Sequence, residues 1–130
     1  MISKNFLIII SLLLIVLGAM AFPLSSSDPQ IQNAINYLSD QQSQNGDIGG
    51  FATSSWAVMA IEAAGVDSSN FGSPSVMDFL ENNSNQLQNS TDFSRYILSL
   101  TAADQNPYSF NGTNFVSVQE NFFDGTQFGD

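Results

Sequence analysis

A loop pattern that occurs twice limits what this chain can fold into more than any other feature. Tyr37-Leu38-Ser39-Asp40-Gln41-Gln42 runs into Asn45-Gly46-Asp47-Ile48-Gly49-Gly50-Phe51, and Val118-Gln119-Glu120-Asn121 runs into Phe123-Asp124-Gly125-Thr126-Gln127-Phe128-Gly129-Asp130. Gly46 and Gly125 are 79 residues apart, and half that span is a period of 39 to 40 on which the intervening chain repeats. Phe110 follows Phe71 by 39, each closing a polar loop after a helix. Tyr96 follows Trp56 by 40, each near the start of an apolar helix. A fixed period in this range means stacked supersecondary units, none of which can bury its apolar face alone.

The units read as helices. Asp28-Pro29 gives an N-cap followed by proline at the first helical position, and Ile31, Ala34, Ile35 and Leu38 form one apolar stripe that ends near Ser43. After Thr53-Ser54 as the expected cap, Trp56 to Ala64 is apolar almost all round, as in a helix buried on most sides, and Gly65 sits where a C′ glycine belongs. Ser73-Pro74 opens a third helix with Val76, Met77 and Leu80 on its stripe and Phe79 beside it. A fourth follows Thr91 or Asp92, carrying Phe93, Tyr96, Ile97 and Leu100, and ends at Asp104 to Pro107. A fifth begins near Asn114 with Phe115, Val118 and Phe122 on one side. No sustained period-2 alternation occurs, so the expected class is all-α. Amphipathic and buried helices alternate, which fits two layers with the buried helices inside.

Residues 1–21 read as a signal peptide. Lys4 supplies the positive end, Phe6 to Leu17 is apolar apart from Ser11, and Ala19-Met20-Ala21 is a cleavage site, with the cut expected after Ala21. The alternative is an uncleaved N-terminal anchor. Residues 22–28 are a spacer and 29–130 the repeats, and the expected location is secreted or on the extracytoplasmic cell surface. The chain has no Cys and no His. Disulfide staples, thiolate metal sites, Cys nucleophiles and Ser-His-Asp constellations are therefore excluded from it. The net charge is −10, and removal of Lys4 leaves Arg95 as the one formal cation, which argues against nucleic-acid partners. A membrane is expected to be met only through the N-terminal segment.

A helix ending in Tyr-Leu-x-x-Gln-Gln, a Gly-Asp or Asp-Gly loop with Phe, and Thr53-Ser54-Ser55-Trp56-Ala57-Val58-Met59-Ala60-Ile61-Glu62-Ala63-Ala64-Gly65 together resemble the prenyltransferase and squalene-cyclase repeat. The resemblance covers roughly Ile31 to Asp130 and implies an (α/α) toroid, here an incomplete ring of about two and a half hairpins. It implies repeat-structural roles for Gln41, Gln42, Gly46, Phe51, Asp124, Gly125 and Phe128. Gln41 or Gln42 is expected to hydrogen-bond the N-terminus of the next helix, and Phe51 to replace the usual Trp. The acid cluster of the cyclases, the Asp/Cys/His zinc set of the prenyltransferases and the Cys of thioester domains have no counterparts, so no catalytic residue is carried over, and neither a metal nor a cofactor is expected. The incomplete ring suggests the N-terminal part of a longer protein, or else a short solenoid that dimerises.

Other candidate residues each have two readings. Trp56 and Tyr96 either line the wall of a central cavity or pack the core. Glu62, the lone charge on its helix, is either a buried acid facing that cavity or a rim residue at a helix end. Arg95 either clamps an anion or pairs with Asp92 or Glu62. Asp47, Asp124 and Asp130 fit capping better than calcium. Asn82, Asn89 and Asn111 begin N-glycosylation sequons. The expected function is an exported, non-catalytic module that binds a hydrophobic small molecule or a surface protein. The alternative is the N-terminal portion of a terpene-cyclase or prenyltransferase-like enzyme with its catalytic residues elsewhere. A glycan-acting enzyme would need paired carboxylates facing one cleft, which Glu62 alone does not provide.

Overall fold

The computed structural model describes residues 25–129. The signal peptide, residues 22–24 of the spacer and Asp130 lie outside the described residues. Five α-helices follow in order: α1 Pro29–Gln41, α2 Phe51–Ala63, α3 Val76–Asn82, α4 Ser90–Ala102 and α5 Phe115–Glu120, with single 3-10 turns at Ser68–Asn70 and Ser84–Gln86. The described residues contain no strand, only isolated bridges such as Gly72 with Ser75 and Phe110 with Thr113. None of these helices is long and apolar enough to cross a membrane. The fold is all-α.

Helix starts differ in detail from the expectation, for local reasons. Gly50, at φ 86, precedes α2, and Thr53-Ser54 lie inside its first turn. Ser54 is free to turn inward there, because its hydroxyl accepts the Ile48 N–H at 2.9 Å. Ser75, not Ser73, caps α3. Its hydroxyl accepts the Asp78 N–H while Asp78 accepts the Ser75 N–H, a reciprocal capping box, and Pro74 stands outside the helix. Asn89 caps α4 through the Asp92 N–H, so that helix starts earlier than Thr91. Asp28 precedes α1 without capping it and accepts the Ser25 N–H instead.

The helices recur at a fixed offset of 39 residues. Phe51–Ala63 and Ser90–Ala102 are both 13 residues long and start 39 apart, as do Val76 of α3 and Phe115 of α5. The loops repeat several of their hydrogen bonds. Val66 N–H reaches the Ile61 carbonyl at 3.1 Å and Gln105 N–H reaches Leu100 at 2.8 Å; Gly65 reaches Glu62 and Asp104 reaches Thr101. Gly65 and Asp104 both adopt left-handed backbone, at φ 74 and 54. These are matching C-terminal caps in which a residue of positive φ returns the last carbonyls to loop N–H groups. Asp67 accepts the Ser69 N–H and Asn106 accepts the Tyr108 N–H. The Ser75 cap on Asp78 recurs as Asn114 on Ser117.

The core lies between α2, α3 and α4 and is closed at one end by α5. Val58, Ile61, Val76, Leu80, Tyr96 and Leu100 are fully buried, with Met77, Phe79 and Phe115 nearly so. The α2–α4 packing is the most extensive in the fold. Tyr96 anchors an aromatic cluster, with ring centroids 5.6 Å from Phe51, 6.4 Å from Phe110 and 5.0 Å from Phe115, the last two edge-on. By contrast α1 buries no residue, and only Ile35 and Leu38 touch the core.

Candidate functional site

Of the two glutamines at the end of α1, Gln42 makes the junction. Its side-chain amide donates to the carbonyls of Gly46 at 3.0 Å, Phe71 at 2.9 Å and Pro74 at 3.4 Å. It therefore ties the loop after α1 to the loop before α3. The expectation of a bond to a helix N-terminus is corrected in kind: the partners are loop carbonyls leading into α3, while Gln41 is exposed. Two glycines make room for this junction. A Cβ on Gly72 would stand 1.9 Å from the Gln42 Oε1, and one on Gly46 would stand 2.6 Å from the Ser75 carbonyl oxygen. Gly46 and Gly125 share left-handed backbone, φ 91 and 99. The residue before each, Asn45 or Asp124, accepts the N–H two positions on, Asp47 or Thr126.

Three of the acids brace loops or helix ends. Asp47 accepts the Gly50 N–H at 2.7 Å, just ahead of α2. Asp124 accepts the N–H groups of Thr126 and Gln127 and the Thr126 hydroxyl. Those N–H donors hold its carboxyl below the usual carboxylate value. Glu62 stands at the end of α2. Its carboxylate accepts the N–H and hydroxyl of Ser68, at 2.8 and 2.6 Å, fastening the 3-10 turn to the end of α2. Arg95 pairs with Asp92 at 3.3 Å. The described residues hold no group of three or more acids placed to bind a metal ion.

Trp56 and Tyr96 do not form a shared wall. The offset in three dimensions is 39, so Trp56 corresponds to Arg95 and Tyr96 to Ala57. Trp56 stands on the surface, 58% exposed, whereas Tyr96 is buried. Burial, with the charge of Glu81 adding to it, pushes the Tyr96 phenol above its ordinary value, and its hydroxyl has no hydrogen-bond partner. Phe51 is half-buried between Phe79 and Tyr96. Among the sequons, Asn111 is exposed at a tight turn with φ 52, Asn82 is exposed at the end of α3, and Asn89 is engaged as the α4 cap.

The cavity lies elsewhere. A groove of about 420 Å³ runs along α4 and α5, lined by Ser94, Ile97, Leu98, Val116, Gln119 and Phe128. Leu98 and Phe128 are about half exposed there, and Phe128 is steadied by Phe123, whose ring lies 5.2 Å away. Gln119 brings a buried Oε1 that no donor meets. Of these residues the sequence marked Phe128 and Gln119 in the repeated loop pattern and Ile97 on a helix stripe, but none as lining a groove. The 39-residue offset held a signal for the groove, since Ser94, Ile97, Leu98 and Val116 stand opposite Ser55, Val58, Met59 and Met77 of the first unit.

No protein-family model, curated protein or solved structure matches this chain.

Proposed function

We propose that this chain is an exported or cell-surface repeat protein of (α/α)-toroid type that binds a partner and is not itself catalytic. The observation that carries the reading is the recurrence of α2–α3 as α4–α5 at 39 residues, with α2 and α4 of equal length and closed by matching C-terminal caps. Units that repeat in this way, and that bury most of their apolar surface against each other, are the building material of helical solenoids and rings. The prenyltransferase and squalene-cyclase type of repeat accounts for Gln42 at the inter-unit junction and for the glycine loops at Gly46 and Gly125. The apolar groove on α4 and α5 is the binding surface, suited to a hydrophobic small molecule or an apolar face of a surface protein. The net charge of −10 and the single arginine, already paired, suit a soluble acidic surface that avoids polyanions.

Expression with the natural leader tests this. The protein should reach the extracytoplasmic fraction with an intact mass beginning at Phe22, and should leave squalene and isoprenyl diphosphates unchanged. Retention in the cytoplasm, or conversion of either substrate, would replace the binding module with the enzyme alternative.

A further inference from the structure

The groove has an internal precedent for its occupant. Shifted back by 39 residues, its lining becomes Ser55, Val58 and Met59 of α2 and Met77 and Leu80 of α3. Four of these are buried and Met59 is half-buried. The helix lying against α2 is α4, whose Tyr96 packs on Phe51, itself in contact with Phe79 of α3. The same face of α4 and α5 stays open, with Leu98 53% exposed where Met59 is half-buried.

We infer that the groove is the docking face for a helix of the α4 kind, belonging to a further unit of the same repeat. Two observations favour a helix. The interface between the first and second units continues in register into the groove. Its lining is mainly apolar side chains of two helices, the surface that accepts an amphipathic helix in a groove. The Asp124–Phe128 turn, with its Phe123 to Phe128 stack, forms one rim. This inference rests on the repeat reading and narrows the partner within it to a protein helix.

The test adds a synthetic peptide of residues 88–104, which carries the α4 face, to the full mature chain labelled for NMR. The expected result is saturable shifts at Ser94, Ile97, Leu98, Val116 and Gln119. Affinity should fall by about tenfold or more for the Leu98→Glu protein and for a Tyr96→Ser peptide. Leu98 is exposed, so Leu98→Glu should leave the helical circular dichroism unchanged. Absence of shifts, or shifts at α1 with none at the groove, overturns the inference. So does a concentration-dependent dimer dissolved by Leu98→Glu, which would make the occupant a second copy. Occupation by a hydrophobic small molecule that the peptide cannot displace overturns it as well. Peptide failure with the 39-residue pattern intact in hydrogen exchange would remove this inference and leave the repeat standing.

Discussion

The side-chain amide of Gln42 lies 2.9 Å from the carbonyl of Phe71, 29 residues along the chain, and over it Gly72 leaves no room for a Cβ. One amide thus fixes how the α1 loop meets the unit that follows. Gln42→Ala should cost about 1–2 kcal/mol, since it leaves partly buried carbonyls without their donor. Gln41→Ala, on the exposed side, should change stability by less than about 0.5 kcal/mol. Gly72→Ala should also destabilise, through both the contact with Gln42 and its φ of 84. Because the two share one contact, urea denaturation of the double variant should show a loss smaller than the sum of the single losses.

The paired caps at Gly65 and Asp104 give a swap experiment. Both positions hold left-handed backbone, which an L side chain adopts at a cost of roughly 1–2 kcal/mol and which Asp tolerates better than most. Gly65→Ala should lose about 1 kcal/mol, whereas Asp104→Gly should gain about 0.5–1 kcal/mol. Thermal melts of the two variants should therefore move in opposite directions.

Tyr96 sets the alkaline limit. Its folded-state value is raised above the unfolded one of about 10, so its contribution is fully present below pH 10 and drains away as pH climbs above it. The unfolded chain can release the phenolic proton, while the folded core resists the charge. Tyr96→Phe removes both this sensitivity and the unpartnered hydroxyl. It should be neutral or stabilising by about 1 kcal/mol at pH 7 and should flatten the loss of stability above pH 10, read from urea midpoints across pH.

Asp124 acts at the other end of the scale. Its folded value is depressed, so its support for the 124–128 turn is present above the ordinary carboxylate value of about 3.9 and is lost as pH falls through the folded value. Since the group is fully exposed, the effect is local. The amide resonances of Thr126 and Gln127 should move together on acidification, and Asp124→Asn should abolish that titration while α2 and α4 stay unchanged.

Much of the helical layout was legible because apolar periodicity and end signals agreed. Gly65 ended α2, Asn114 started α5, and Phe71 with Phe110 marked equivalent loops. The starts of α2 and α3 were misplaced because Ser and Thr serve both as caps and as small buried residues. Ser54 packs inward and bonds Ile48, so the helix begins three residues earlier. The pairing of Trp56 with Tyr96 failed because two aromatics one residue off register point to different sides of their helices. One is on the surface and the other is core. Glu62 left two readings open, cavity acid or helix-end residue, because its neighbours are apolar, and its carboxylate reaches past the helix end to Ser68. The groove was illegible by composition alone, since Ile97 and Leu98 resemble core residues until it is known which helix covers which face.

Residue-resolved amide hydrogen exchange tests the central claim, the 39-residue unit, most directly. The repeat predicts matching protection at equivalent positions, with Val66 and Gln105 as protected as the helix ends that they close, and weaker protection throughout α1, which buries no residue. Protection in α2–α3 with free exchange across α4–α5, or an α1 more protected than α4, would contradict it.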